Sequence, residues 1–495
     1  MALTTGQTLL YLLPELLLLA TATAVFALDL IRPRQMADRP LVLPLTATAG
    51  LALALIVTIG LIGGGVSARV ATMMSVDGLA LFFKVIALLA AGLVIWSAVD
   101  YLPTRTPYVG EFYALLVTAA LAICIAVSAN DLILIYLGME FLSITSYVLT
   151  GFLRRDVRST EAALKYFLYG AAASAVMLYG ISLLYGATGT TDLIAMAGAF
   201  ASGMAGNLGM LGLPAVVLLM VGLGFKASLA PFHQWAPDAY EGAPTPITAF
   251  LSTASKATGF ALLVRVFAIG LPMLRAQEWA PLLGAMAIVT MTLGNLVAIQ
   301  QTNLKRLLAY SSIAQAGYIV IGLASMASTG IFGGLEGTLL YLFAYLFTNL
   351  GAFLVVIAVE NATGAVDLAG YAGLVRRSPL LAGMLVLFLL SLAGIPPTGG
   401  FLGKFLVFGA AIRSQLLTLA VIGIVNSAIA AFYYLNIVRY MFFMPAPAAQ
   451  AGEIAAPMAL RVPLWICAAM TLMIGLVAQP FIDWATRSAV LLAAL

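Results

Sequence analysis

Residues 221–238 read VGLGFKASLAPFHQWAPD. Lys226, Pro231 and His233, the only histidine of the chain, interrupt a run that is otherwise oily. Charge is most expensive where water is absent, so the composition around this run decides how to read it. Of the 495 residues, 63% are hydrophobic and only 8% charged, with mean hydropathy +1.09. Ordinary soluble domains carry roughly 25% charged residues. So much apolar surface cannot be hidden in one water-soluble core. The apolar runs are long, rich in Leu, Ala and Val, and do not alternate, which predicts helices rather than barrel strands. The expected fold is an all-α polytopic membrane protein, and the quoted run is one of its helices, broken at Pro231.

A window of about 19–20 residues places about fourteen spans. The first three are Leu9–Leu30, Leu41–Ile62 and Gly78–Val99. Five follow: Phe112–Val127, Leu132–Phe152, Tyr166–Tyr185, Leu213–Trp235 and Ile247–Phe267. Five more are Leu283–Ile299, Leu307–Ala324, Leu335–Val359, Leu380–Phe408 and Leu416–Tyr440. The last is Leu464–Phe481. The first run has no basic region before it and contains Pro14 and Glu15, so it reads as a retained helix rather than a cleaved signal peptide. Cys124 and Cys467 both fall in apolar runs, which leaves neither a disulfide framework nor a four-thiolate iron–sulfur cluster. A single histidine excludes a bis-histidine haem.

An even number of spans puts both termini on one side. Most of the 23 Lys and Arg residues fall on the side of the first loop, Arg32, Arg34, Arg39 and the Arg154/Arg155/Arg158 cluster among them. The positive-inside rule then places both termini outside the cytoplasm. The middle of the chain is doubled. In each of two five-span blocks the fourth span is broken by proline, after Ser228-Leu229-Ala230 in one and after Ser391-Leu392-Ala393-Gly394-Ile395 in the other. Five is odd, so successive blocks enter from opposite sides, the arithmetic of an inverted repeat with broken helices. The expected organisation is a three-helix segment over 1–106, a first repeat over 107–270 (spans four to eight), a second over 271–442 (spans nine to thirteen), and a loop with the last span over 443–495.

All six lysines (Lys84, Lys165, Lys226, Lys256, Lys305 and Lys404) lie in or beside an apolar span, while the loops use almost only arginine. Arginine stays protonated nearly everywhere, whereas a buried lysine can titrate as low as roughly 5–6. An interior stocked with lysine and no arginine suits proton carriage. Glu140 joins them, deep in the fifth span. A Glu–Lys pair lets each partner keep the other charged, so neutralising the carboxylate drives the lysine's proton onward. Against this stands the plain reading that a lysine near a span end snorkels to the interface; Lys165, Lys84 and Lys305 fit it as readily as a functional role. Lys226, Lys256 and Lys404 do not, because ionisable groups inside membranes are rare and functional by default. His233 is balanced between a relay role and a hydrogen bond to a backbone carbonyl freed by the break. The run GGFLGKF at 399–405 lacks the Ser/Thr that a phosphate loop needs after Lys404, and nothing else reads as a nucleotide or flavin site.

The same residues carry a family likeness. RDVRSTEAALKYF at 155–167, FKASLAPFHQWAPD at 225–238, YEGAPTP at 240–246, STASK at 252–256, NLKRLLAYSS at 303–312 and GIPPTGGFLGK at 394–404 resemble the subunit N family of respiratory complex I, the NADH:quinone oxidoreductase. This is the antiporter-like family whose mitochondrial counterpart is NADH dehydrogenase subunit 2. The likeness runs from about residue 130 to 410. The twelfth span carries Lys404 where the related subunit M has glutamate, and there is no long C-terminal lateral helix such as subunit L has. Stand-alone cation/proton antiporter subunits share the broken-helix core and are the alternative; a passive scaffold is a third reading. The resemblance implies a proton-translocating membrane-arm subunit, coupled to quinone reduction elsewhere in the complex. It implies that Glu140 pairs with Lys226, that Lys256 continues the path and Lys404 leads outward, with His233 and Lys305 as intermediate relay positions. It implies no cofactor in this chain, FMN, iron–sulfur clusters and quinone in partner subunits, neighbouring antiporter-like subunits as partners, and a bacterial cytoplasmic (inner) membrane.

Overall fold

The computed structural model describes residues 3–31, 41–202, 208–271, 276–326, 328–330, 332–446 and 452–490. Arg32, Arg34 and Arg39, on which part of the charge asymmetry rests, lie outside the described residues. Among the described residues, twelve helices are long and apolar enough to cross a membrane. Two shorter apolar helices, Gly212–Ala227 and Pro379–Ala393, stand where the sequence predicts the two broken spans.

The spans are α1 (Leu13–Ile31), α2 (Val42–Gly63), α3 (Gly78–Ala98), α4 (Val109–Ser128), α5 (Leu132–Thr150) and α6 (Val157–Thr188). Then come α7, in two arms Leu208–Ala227 and Trp235–Gly242, α8 (Thr245–Gly270), α9 (Ala276–Ala298), α10 (Leu304–Ala324) and α11 (Gly334–Thr363). The series ends with α12, in two arms Pro379–Ala393 and Gly399–Arg413, α13 (Leu417–Phe443) and α14 (Met458–Leu476). Small elements beyond the sequence reading include a hairpin of β1 (Ala68–Val70) and β2 (Met74–Val76), a helix Leu193–Ala201 before α7, and a helix Gln479–Val490 after α14.

Helix ends in a membrane protein must satisfy their free amides locally, and the sequence places caps accordingly. Asp77 accepts from Ala80 N at 2.8 Å, Asp131 from Ile133 N at 2.8 Å and Asn303 from Arg306 N at 3.1 Å. The last two caps sit at matching places in the doubled region. Before α5, Leu132 N bonds Thr191 O and Leu193 N bonds Asn130 O, at 2.8 and 3.0 Å. Before α10, Leu304 N bonds Val366 O and Leu368 N bonds Thr302 O, at 2.8 and 2.9 Å. The same two-stranded clasp ties the fourth–fifth loop to the sixth–seventh, and five spans later ties the ninth–tenth loop to the eleventh–twelfth. Five crossings separate the two clasps, so they face opposite sides of the membrane, as inverted repeats require.

α8 and α11 are buried along their length and form the axis of the molecule. α1, α2, α6, α9, α13 and α14 keep broad apolar faces outward. Charge inside this bundle is therefore removed from lipid as well as from water.

A buried line of amines across two broken helices

The α7 break begins after Ala227. Ser228 turns into the left-handed region (φ +59°), and the Ala230–Pro231 peptide is cis. Two carbonyl and amide groups freed by the break find new partners: Trp235 Nε1 donates to Phe225 O at 2.9 Å, and Ala230 N donates to Thr290 Oγ1 of α9 at 3.0 Å. α8 crosses close by. A Cβ on Gly259 would lie 2.7 Å from Ala227 N, so only glycine lets the two helices approach this closely. α8 is itself irregular, with a π-helical turn over Leu251–Ser255 directly before Lys256. Such turns gather at functional sites because they re-aim side chains and loosen the backbone ladder.

Lys226, Lys256 and Lys404 are all buried. Lys226 Nζ donates to Ser143 Oγ of α5 at 3.1 Å. Glu140, one turn away on α5, accepts instead from Ser174 of α6 at 2.5 Å. The structure thus brings Glu140 beside Lys226 without a direct ion pair; two serines stand at the meeting point.

Lys256 Nζ donates to Ser312 O at 2.8 Å and to Ser312 Oγ at 2.5 Å, and Tyr345 OH donates to the same hydroxyl at 2.8 Å. The next residue, Ser311, shares a 2.5 Å hydrogen bond with Tyr434 OH. Gln315 Nε2 donates to Tyr434 OH at 3.2 Å and to Leu392 O at 2.9 Å, while Tyr341 OH donates to Gln315 Oε1. Lys404 Nζ ends the line by donating to Ala393 O at 3.0 Å, with its ammonium 4.5 Å from the centre of the Tyr318 ring. Asn295 Nδ2 then donates to Tyr318 OH at 2.8 Å.

The second break is built around Lys404. Gly394 has φ +88°, and a Cβ there would lie 2.8 Å from Lys404 Cδ. Glycine is needed both for the turn and for the path of the lysine. Ser391 Oγ accepts from Gly400 N at 3.1 Å, and Thr398 caps the second arm.

His233 lies in the α7 break, buried, with Nδ1 lacking any protein partner. Ser228 Oγ and the hydroxyls of Tyr166 and Tyr240 are likewise buried without a well-directed hydrogen bond, although Tyr166 faces Ser146 and Ser255 and Tyr240 faces Ser312. Groups like these are ordinarily satisfied by internal water. They cluster where Lys226 and Lys256 have no side-chain bridge. Lys305 is buried at the start of α10 and donates to Ala243 O at 2.7 Å, on the floor of a polar cavity of about 770 Å³. Arg105, Arg158, Glu241 and Glu360 line that cavity, which opens on the arginine-rich face.

The remaining lysines part company. Lys165 is partly exposed and pairs with Glu161 at 2.8 Å and Asp238 at 3.0 Å, a surface role. Lys84 is wholly buried, with its Nζ 2.6 Å from Glu15 Oε1 of α1. The absence of buried arginine, expected from sequence, needs correction: Arg265 of α8 is fully buried. It survives because Asp77 meets it with both oxygens at 2.7 and 2.9 Å and Val127 O accepts from Nε at 3.0 Å. A guanidinium held by such a fork is fixed charge.

Sequence reasoning missed Ser143, Ser174, Gln315, Tyr341, Tyr434, Tyr318, Asn295 and the Glu15–Lys84 pair. Ser311, Ser312 and Gln315 in one apolar helix were a visible signal. Isolated serines and tyrosines were not, since membrane helices use them freely for backbone hydrogen bonds and interfaces.

Two inverted bundles, each with a broken helix at a buried lysine, define the class of antiporter-like membrane subunits. Residues 129–430 match the family model for the membrane domain of NADH:quinone oxidoreductase and Mrp antiporters. NADH-quinone oxidoreductase subunit N from Heliobacterium modesticaldum is 45% identical over 416 residues, 83% of this chain and 85% of that one. A chain of the Thermus thermophilus respiratory complex I structure superposes with TM-score 0.78 at 33% identity, covering 96% of this chain and 99% of that one. A chain of the Mrp complex from a Dietzia species superposes with TM-score 0.84 at 20% identity, covering 98% and 97%. At that identity the last match speaks for the fold alone. The chain belongs to the subunit N family of NADH-quinone oxidoreductase.

Proposed function

We propose that this chain translocates protons in the membrane arm of an NADH:quinone oxidoreductase, and that Glu140, Lys226, Lys256 and Lys404 carry them. The observation that supports the carriers is the succession of three buried amines with polar groups spaced between them: Ser143 beside Lys226, Ser312 beside Lys256, then Ser311, Tyr434 and Gln315, and Ala393 O beside Lys404. Each ammonium in this low-dielectric line raises the energy of the next. When the carboxylate of Glu140 is neutralised, the ammonium of Lys226 loses its nearest counter-charge and gives up a proton. Water beside His233 passes it to the amine of Lys256. Ser312 and then the Ser311–Tyr434 pair relay through their hydroxyls, each taking one proton as it gives another; Gln315 positions Tyr434, and water carries the proton across the remaining gaps to the amine of Lys404. The cavity above Lys305 is the opening to the arginine-rich side, which we assign to the cytoplasm, with both termini on the outer side of a bacterial cytoplasmic membrane.

In this reading residues 107–270 and 271–442 are the two repeats, each supplying one half of the path. The segments 1–106 and 443–495 flank them. FMN, iron–sulfur clusters and the quinone site belong to partner subunits. The Mrp likeness keeps cation/proton exchange as a second reading, favoured if the purified chain alone exchanged Na⁺ for H⁺. Glu140→Gln in membrane vesicles tests the first. Proton pumping and quinone-coupled NADH oxidation should fall while oxidation by an artificial acceptor persists; unchanged pumping would overturn the assignment of Glu140.

A further inference from the structure

A groove of about 890 Å³ runs along the outer surface of the bundle, with α1 and α6 as walls and α4 and α5 as floor. Its walls present Leu19, Phe26, Leu164 and Phe167 and its floor Val148, all exposed and apolar. At its mouth, on the arginine-rich face, stand Arg154 from the α5–α6 loop and Glu111 from the first turn of α4. Arg154 rests its guanidinium 5.2 Å from the centre of the Tyr108 ring, and among the described residues no carboxylate pairs with it. Glu111 Oε2 is buried without a hydrogen-bond partner.

These features describe one ligand. Glu111 to Thr118 marks seven residues of helix, about 10 Å, inside a hydrocarbon leaflet of about 15 Å. An acyl chain entering at the interface can lie along this depth. An arginine at the interface takes a lipid phosphate through charge-assisted hydrogen bonds. A cation alone would accept any phospholipid. The unpartnered carboxylate oxygen beside it selects a headgroup that also donates hydrogen bonds from a positive charge. A carboxylate at the mouth disfavours an anionic headgroup. A choline headgroup is positive but has no N–H to give.

We propose that this groove binds one aminophospholipid, with an acyl chain between α1 and α6, the phosphate on Arg154 and the primary ammonium on Glu111. The site is independent of the proton path.

The test uses the intact complex in mild detergent and three photoactivatable probes with identical diazirine-bearing acyl chains: phosphatidylethanolamine, phosphatidylcholine and phosphatidylglycerol. The ethanolamine probe should label peptides containing Leu164–Phe167 about tenfold more strongly than the other two, the loss expected for one charge-assisted contact. Arg154→Ala should cut that labelling about tenfold. Glu111→Gln should remove the preference over choline while assembly and NADH oxidation stay at the wild-type level. Equal labelling by all three probes would overturn the proposal, as would labelling indifferent to both substitutions. No labelling of these peptides in the wild-type complex would show that a neighbouring subunit covers the groove, and would overturn it too.

Discussion

Lys226 and Glu140 meet through serines rather than through each other: Lys226 Nζ bonds Ser143 Oγ at 3.1 Å while Glu140 accepts from Ser174 at 2.5 Å. A direct buried ion pair would hold the proton in place, because separating its charges in a low dielectric is costly. With a hydroxyl on each side, the carboxylate and the ammonium influence one another and remain free to change state. Ser143→Ala should therefore slow quinone-coupled turnover severalfold, since it leaves the ammonium short of a partner without removing it. Ser143→Thr, which keeps the hydroxyl, should restore most of the rate. Parallel assays of NADH oxidation with quinone and with an artificial acceptor separate this from loss of assembly.

In the proposed path Gln315 stands between Lys256 and Lys404, its amide bridging Tyr434 OH and Leu392 O. Gln315→Leu keeps the volume and deletes the bridge. It should reduce proton pumping about tenfold, the rate equivalent of the roughly 1.4 kcal/mol that one positioning hydrogen bond contributes. Tyr434→Phe should show a smaller loss, because Tyr341 still reaches Gln315. Pumping in vesicles, normalised to the amount of assembled complex, checks both.

Gly394 joins conformation to chemistry. At φ +88° an L-residue costs about 1–2 kcal/mol, and the new methyl would meet Lys404 Cδ. Gly394→Ala is expected to impair pumping more than it impairs thermal stability, because it moves Lys404 from Ala393 O. Gly189, which also has positive φ but open space around it, is the control: Gly189→Ala should lower stability without a specific loss of pumping.

How much of the molecule is legible in its sequence follows from what membranes demand. Broken helices are visible, since a proline and a lysine together in an oily run interrupt both the backbone ladder and the apolar surface. SLAP and SLAGIPP both prove to be breaks. Buried lysines are visible because a charge in lipid is rare. Partners are not. Gln315, Tyr434 and Ser143 look like ordinary helix residues until several helices converge on them. Arg265 looks like a cation near a span end because Asp77, its partner, lies almost two hundred residues away. Glu15 gives no hint of Lys84 for the same reason.

That last pair carries its own prediction. Glu15 and Lys84 lie 2.6 Å apart, but neither makes a well-directed hydrogen bond, so charge alone holds them. Removing one partner strands the other. Glu15→Gln should cost about 3 kcal/mol or more of stability. The double variant Glu15→Met with Lys84→Met should recover most of it. Thermal unfolding of the purified complex, followed at this subunit, measures the difference.

In the proposed path Lys226 acts by releasing its proton, not by being positive. Lys226→Arg separates the two, because arginine keeps the charge and does not readily deprotonate. The decisive measurement is proton pumping per NADH oxidised in vesicles that carry the assembled Lys226→Arg complex. Pumping and quinone-coupled turnover should fall markedly, with artificial-acceptor oxidation intact. Wild-type pumping in that variant would contradict proton release and leave Lys226 a structural charge.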